Sequence, residues 1–495
     1  MSNPLRQLAS ETAIYGLSTI LARIVNFMLV PLYTRVLMDS QYGVVTEMMS
    51  YIAVLQVVLV LGLETGCFRY ASKEGVDRRA VFSDAFFTVL ALCLLFFGGV
   101  TLFSDGIASG LGYAGHANVI IYTAAILLLD CPLAVIFAKL RHEHKALRFA
   151  IIKTLKILTE VGMNLLLYLV MPAVFASNPD HWLLTFVSAT PDYTYAIFSI
   201  FVSCIVSLVL LVPDMFTLTL KLDTALWKKL MLYSLPLMVA GLPGVMNDFI
   251  DRILMRFLNA DPATWRADLG VYQAGVKIAV IMQLFSQMFR YAAEPFFFQR
   301  ERDKDSRQTY VTVLNYFVAF CMFGFVVIML FIDEIGLILG KDFRAGLSIT
   351  PIMLMAYIGT GVLFNVNMWY KLAEKTGYAV WVTLAGLVVS VIIDVAWMPV
   401  YSYHAAAWGH LASYLTMIVL TVLLGRKYYR IPYDWPLIIS FVGLGLSVWW
   451  ASTLLPEMGT ILEICVHLLL VLVYVAAVFA IFVMKKHRNE SKDCQ

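Results

Sequence analysis

The stretch TAIYGLSTILARIVNFMLVPLYT, residues 12–34, decides how the rest of the chain is read. It is long enough for the ~20 residues that a spanning helix needs. Arg23 sits at its centre, and no small-residue cleavage site follows it. We read it as a retained membrane helix and not as a signal peptide.

Working outward, apolar stretches of similar length recur at 44–68, 81–104, 117–139, 149–171, 193–213, 231–257, 269–291, 309–332, 347–370, 378–399, 406–425, 436–455 and 460–484. With the first they make about fourteen spans. Hydrophobic residues are 61% of the chain and charged residues 14%, against roughly 45–50% and 25% in a soluble protein. The expected fold class is an all-α integral membrane bundle. No connection between spans has room for a folded domain of about 50 residues or more, so function has to be built from helix faces.

The charges set the expected topology. Of the 36 Lys and Arg residues, alternate loops beginning at the N-terminus carry 28, while the opposite loops carry only Arg35, Arg256, Arg266, Lys341 and Arg344. By the positive-inside rule both termini are expected in the cytoplasm. A miscounted span would invert the bias in every later loop, and no inversion occurs. The net charge of +3 offers no case for a nucleic-acid partner. The seven cysteines are odd in number and show no paired spacing, so neither a disulfide framework nor a metal site is expected.

An internal repeat is visible. The first span ends in Leu32-Tyr-Thr-Arg35-Val-Leu, followed by Tyr42-Gly43-Val44; the seventh ends in Leu254-Met-Arg256-Phe-Leu, followed by Leu269-Gly270-Val271-Tyr272. It pairs the starts of two six-span halves, as internal repeats do in transporters. On these residues, together with Arg23, Pro31 and Asp251-Arg252, the chain resembles the polysaccharide transporter family of the multidrug, oligosaccharidyl-lipid and polysaccharide exporter superfamily.

The resemblance implies two six-helix lobes, 1–213 and 214–430, around a central cavity, with two additional helices and a cytoplasmic tail over 431–495. It also implies a flippase that moves a polyprenyl-pyrophosphate-linked oligosaccharide, of O-antigen, capsule or exopolysaccharide type, to the outer leaflet of a bacterial inner membrane. Membrane lipids and polysaccharide polymerase machinery would be its partners, and coupling to H+ or Na+ would replace any bound cofactor.

Within the spans lie Arg23, Glu64, Asp130, Glu160, Asp248, Asp251, Arg252, Lys277, Glu294 and Asp394. Each costs at least ~2.5–3.5 kcal/mol at mid-bilayer, so each needs a partner or a task. Glu11, Tyr15, Ser18, Ala22 and Asn26 form a polar stripe on the first span at 100° per residue, with Arg23 at its edge. Span 7 permits an Asp248–Arg252 pair, and span 5 a Lys156–Glu160 pair, at i, i+4 spacing. Gln273, Lys277, Gln283 and Gln287 share one arc of span 8.

Asp130, before Cys131-Pro132, reads first as part of a hinge. Glu64 and Asp394 have no local partner and are expected to meet a cation on another helix. A pyrophosphate crossing a low-dielectric core needs Arg or Lys to replace its lost hydration. The expected cationic cavity is therefore Arg23, Lys277 and Arg252, with Tyr15, Asn26, Gln273, Gln283 and Gln287 as polar lining. Glu160, Asp130, Glu64 and Asp394 are the candidates for ion coupling.

Two other classes compete. A cation-coupled drug exporter of the same superfamily would use a carboxylate site and usually twelve spans. A polytopic glycosyltransferase, polymerase or ligase would need a substantial outer loop with acidic, Arg or His residues, and the longest such loop holds Asp180, His181 and Asp192 without a base.

Overall fold

The computed structural model describes residues 16, 20–21, 23–178, 188, 190–300, 306–373, 375–456 and 459–493, with backbone alone at 292, 294–295, 298–300, 460 and 486–493. Thirteen helices among them are long and apolar enough to cross a membrane. At the first expected span, residues 11–15, 17–19 and 22, which include Tyr15 and the rest of its stripe before Asn26, lie outside the described residues.

In chain order the main helices are α1 (Val30–Val36), α2 (Asp39–Val60), α3 (Arg78–Leu102), α4 (Ala117–His142), α5 (Ala146–Leu165), α6 (Tyr193–Met215), α7 (Thr224–Leu258), α8 (Trp265–Arg300), α9 (Ser306–Leu330), α10 (Thr350–Val366), α11 (Gly377–Tyr401), α12 (Tyr403–Tyr428), α13 (Trp435–Thr453) and α14 (Thr460–Asp493). Four of them start at an aspartate whose carboxylate satisfies unpaired N–H groups of the first turn. Asp77 accepts from Arg79 N, Asp192 from Thr194 N, Asp223 from Ala225 N and Leu226 N, and Asp434 from Leu437 N.

The segment expected as one span over 44–68 is two helices, α2 and Leu63–Ala71. Leu61 and Gly62 both take positive φ, 57° and 68°, which stops the helix. A Cβ on Gly62 would lie 2.6 Å from the carbonyl oxygen of Ser234 on α7, so the close approach also requires glycine. A second irregularity follows α5: the helix widens over Leu166–Val170 just before Pro172, which has no N–H to give.

The chain divides into two compact units, residues 1–273 with 390–406, and 274–389 with 407–495. In the first, α3 packs on α4, α6 on both α4 and α5, and α7 on α2. Its core gathers Leu63, Val81, Phe82, Val89, Leu133 and Ile136, and buries Cys67, Cys93, Cys131 and Cys204 as free thiols. In the second, α9 is the central helix, contacting α10, α13 and α14. Tyr474 of α14 donates to the Ala319 carbonyl of α9 at 3.0 Å, and Phe482 stacks on Tyr316.

The outward faces are bare hydrocarbon. Only 11% of the apolar window of α14 is buried, and Ile461, Leu472, Phe479, Leu95 and Leu102 stand exposed. A surface of this kind is stable against lipid and not against water.

Candidate functional site

Besides the buried Asp84, Lys139 and Asp214, the first unit holds three groups of charged side chains among its helices. The first is a pair of carboxylates. Asp251 on α7 and Asp394 on α11 are both fully buried and lie within Coulomb range of each other. Among the described residues neither oxygen of Asp394 has a hydrogen-bond partner. One turn earlier on each helix, and so on the same face, stand Asn247 and Ser390, which are 2% and 1% exposed.

Two carboxylates in one dry site repel, and a shared proton or a small cation relieves the repulsion. The four side chains offer oxygen ligands only, the donor set of a hard cation. No group of three or more His, Cys, Asp or Glu side chains suited to a metal ion occurs among the described residues. For Asp394 the expectation of a cation on another helix is replaced by a second acid on another helix.

The second group runs along α5. Lys156 forms its ion pair with Asp130 of α4, which also accepts from Gln56 Nε2 at 3.4 Å. The i+4 expectation of Lys156 with Glu160 is thus corrected: the fixed carboxylate of the neighbouring helix captures the ammonium. Asp130 therefore does more than flank a proline hinge. Lys153 lies over the Phe137 ring at 4.2 Å, and Glu64 meets Arg141 at 3.0 Å, the cross-helix cation expected for it. Glu160 is half-buried, and its carbonyl receives Asn164 Nδ2 at 2.8 Å; Asn164 Oδ1 in turn accepts from Tyr33 at 2.9 Å.

The third group lies where the basic-poor loops meet, and it contains the repeat. A Cβ on Gly43 would collide with the carbonyl of Arg266, and one on Gly270 with the carbonyl of Asp39. Each glycine thus faces the residue four positions before the other. The two repeats touch here backbone to backbone, through positions that only glycine can fill.

One turn beyond Gly43, Glu47 is fully buried. It accepts from Arg256 Nη1 at 2.9 Å, from Tyr51 at 2.9 Å and from Tyr113. Arg256 Nη2 also donates to the Gly110 carbonyl at 3.1 Å, and Arg266 Nη2 to those of Gly112 (3.1 Å) and Leu111 (3.4 Å). Arg256 and Arg266 were visible as two of five bases on the basic-poor side. Glu47 was missed because it lies near a span end, where a charge looks solvated.

Of the expected cationic residues, Arg23 and Arg252 belong to the first unit and Lys277 to the second. Arg23 is exposed and Asn26 half-buried. Arg252, 7% exposed, donates from Nη1 to the Asp248 carbonyl at 3.0 Å and sits 4.8 Å over the Phe249 ring. Gln273 is half-buried in the first unit; Lys277, Gln283 and Gln287 are half-buried in the second. The Glu294 side chain lies outside the described residues.

Residues 8–301 match the profile of a protein family described as polysaccharide biosynthesis protein. No curated protein sequence matches. Among solved structures, the lipid II flippase MurJ in an inward closed conformation aligns with a TM-score of 0.70 at 12% identity, covering 95% of this chain and 99% of its own.

An inward-facing multidrug resistance transporter of the MATE family aligns at 0.57 and 12% identity, covering 87% and 96%, and a MATE protein in a bent conformation at 0.52 and 12%, covering 88% and 95%. At such identities the likeness establishes a shared fold. With the family profile spanning more than half its length, the chain belongs to the polysaccharide biosynthesis protein family.

Proposed function

We propose that this protein is a flippase that carries a polyprenyl-pyrophosphate-linked oligosaccharide from the cytoplasmic to the outer leaflet of a bacterial inner membrane by alternating access, with both its termini in the cytoplasm. The observation that supports this most is a polysaccharide-biosynthesis chain built on the fold of a lipid II flippase. The family points to sugar polymers, and the fold to movement across a bilayer.

In this reading Arg23, Arg252 and Lys277 meet the pyrophosphate, because a guanidinium or ammonium replaces lost hydration with charge-assisted hydrogen bonds. The Asp251–Asp394 pair takes up H+ or Na+ as the coupling ion. The contact of Glu47 with Arg256 and of Gly43 with Gly270 holds the basic-poor ends of α2 and α7–α8 together in one half of the cycle. Opening toward that side breaks it.

A specific observation favours a second reading. A buried carboxylate pair also suits a cation-coupled drug exporter, and a multidrug resistance transporter of the MATE family shares the fold. Disruption of the gene separates the readings. Loss of a flippase leaves completed lipid-linked sugars facing the cytoplasm, loss of a transferase leaves truncated ones, and loss of a drug exporter changes neither while raising drug sensitivity. Unaltered lipid-linked sugars would overturn the flippase reading.

A further inference from the structure

At the basic-rich end of the second unit, α12 and the segment after it close over the short helix Met368–Leu372 and leave a cavity of about 230 Å³. Trp369, Gly425, Arg426, Tyr429, Arg430 and Tyr433 form much of its wall. Trp369 is 2% exposed, and among the described residues its Nε1–H has no acceptor. The direction of that N–H is fixed on both sides. One ring face stacks on Tyr428 at 5.8 Å and 9°, and a Cβ on Gly425, itself a wall residue, would lie 3.3 Å from Nε1. The Tyr433 hydroxyl is likewise buried without a partner. A buried donor with no acceptor costs stability, and it is kept where a ligand supplies the acceptor.

The charges point to the same kind of ligand. Arg426 and Arg430, one helical turn apart in spacing, are exposed and form no ion pair among the described residues. Around them Lys375 and Lys427 lie against the Tyr428 ring, Lys371 against Phe364, and Arg307 against Tyr429. The nearby acid Asp434 is already committed, capping α13 and holding Lys485 Nζ at 2.5 Å; Glu374 lies outside the described residues. The missing component is an anion. Tyr429, Tyr433 and Trp435 line the cavity beside Arg426 and Arg430, a mixture of aromatic and basic side chains of the kind that collects at membrane interfaces, where basic pockets between helices take lipid phosphates.

We propose that this cavity binds the phosphate of an anionic membrane lipid. Arg426 and Arg430 supply charge, and the Trp369 Nε1–H and Tyr433 hydroxyl supply two neutral hydrogen bonds. The cavity wall includes neither Asp251 nor Asp394, and occupancy of the cavity does not depend on the flippase reading.

The test uses the purified full chain in detergent and measures binding of dihexanoyl-phosphatidylglycerol, dihexanoyl-phosphatidylcholine and inorganic phosphate. The anionic lipid is expected to bind on the order of tenfold more tightly than either of the others. Arg426→Gln with Arg430→Gln should weaken it by about tenfold or more, since both charge-assisted bonds are lost. Trp369→Phe keeps an aromatic face and the net charge while removing the N–H and should weaken it by roughly threefold to tenfold, the worth of one neutral hydrogen bond.

Lys427→Gln, on an exposed lysine outside the wall, reports the diffuse field alone. Should Trp369→Phe alter the fold, as read by thermal unfolding, Tyr433→Phe removes a donor with less disturbance. Native affinity in the donor variant, together with an arginine effect no larger than that of Lys427→Gln, would overturn the proposal in favour of a diffuse basic surface. Inorganic phosphate binding as tightly as the lipid would overturn it in favour of a free-anion site.

Discussion

Asp394 stands fully buried on α11 with a second carboxylate opposite and no hydrogen bond to either oxygen. Replacing it by Asn keeps the shape and removes a charge that only an ion can neutralise. Asp394→Asn is therefore expected to fold at least as well as the native chain and to lose the dependence of transport on a Na+ or pH gradient. Gradient-dependent transport surviving in that variant would remove the pair from the mechanism.

Arg23→Ala is expected to abolish transport while membrane abundance stays unchanged, and an active variant at native levels would dismiss Arg23 as a substrate contact. At this scale the sequence was informative about which residues are costly and poor at saying what they touch. Asp394 and Glu64 were recognisable as buried acids without local partners. That one meets Asp251 and the other Arg141 depends on which helices pack together. Lys156 shows the limit: i, i+4 spacing names Glu160, while a neighbouring helix provides the closer acid in Asp130.

The helices follow from apolar length. Most span bounds lie within a few residues of a helix end, because the bilayer demands length and backbone satisfaction from each crossing segment, but α7 starts seven residues before its expected span and α8 and α14 run nine residues past theirs. What hydropathy cannot register is φ, and so the break at Leu61–Gly62 and the widened turn before Pro172 were not legible.

The repeat is the instructive case. Gly43 and Gly270 are similar in local sequence only weakly, yet they meet in space through reciprocal backbone contacts. Gly43→Ala or Gly270→Ala should each cost about 1–3 kcal/mol by overpacking, read as a fall in the unfolding temperature of the purified protein. Arg256→Gln, which leaves Glu47 buried without its cation, should cost about 3–5 kcal/mol. Two alanine variants as stable as the native chain would mean that the contact between the repeats is not tight.

For the whole molecule, the chain belongs to a polysaccharide biosynthesis protein family and shares its fold with MurJ, and the central claim proposed from this is that it moves a lipid-linked oligosaccharide from one leaflet to the other. The most direct measurement places the purified protein in vesicles that carry such a lipid in the inner leaflet and follows its appearance outside with a membrane-impermeant lectin. The account predicts protein-dependent exposure of the sugar that is lost in Arg23→Ala and loses its gradient dependence in Asp394→Asn. Exposure no faster than in protein-free vesicles, under a Na+ or a proton gradient of either direction, would contradict it.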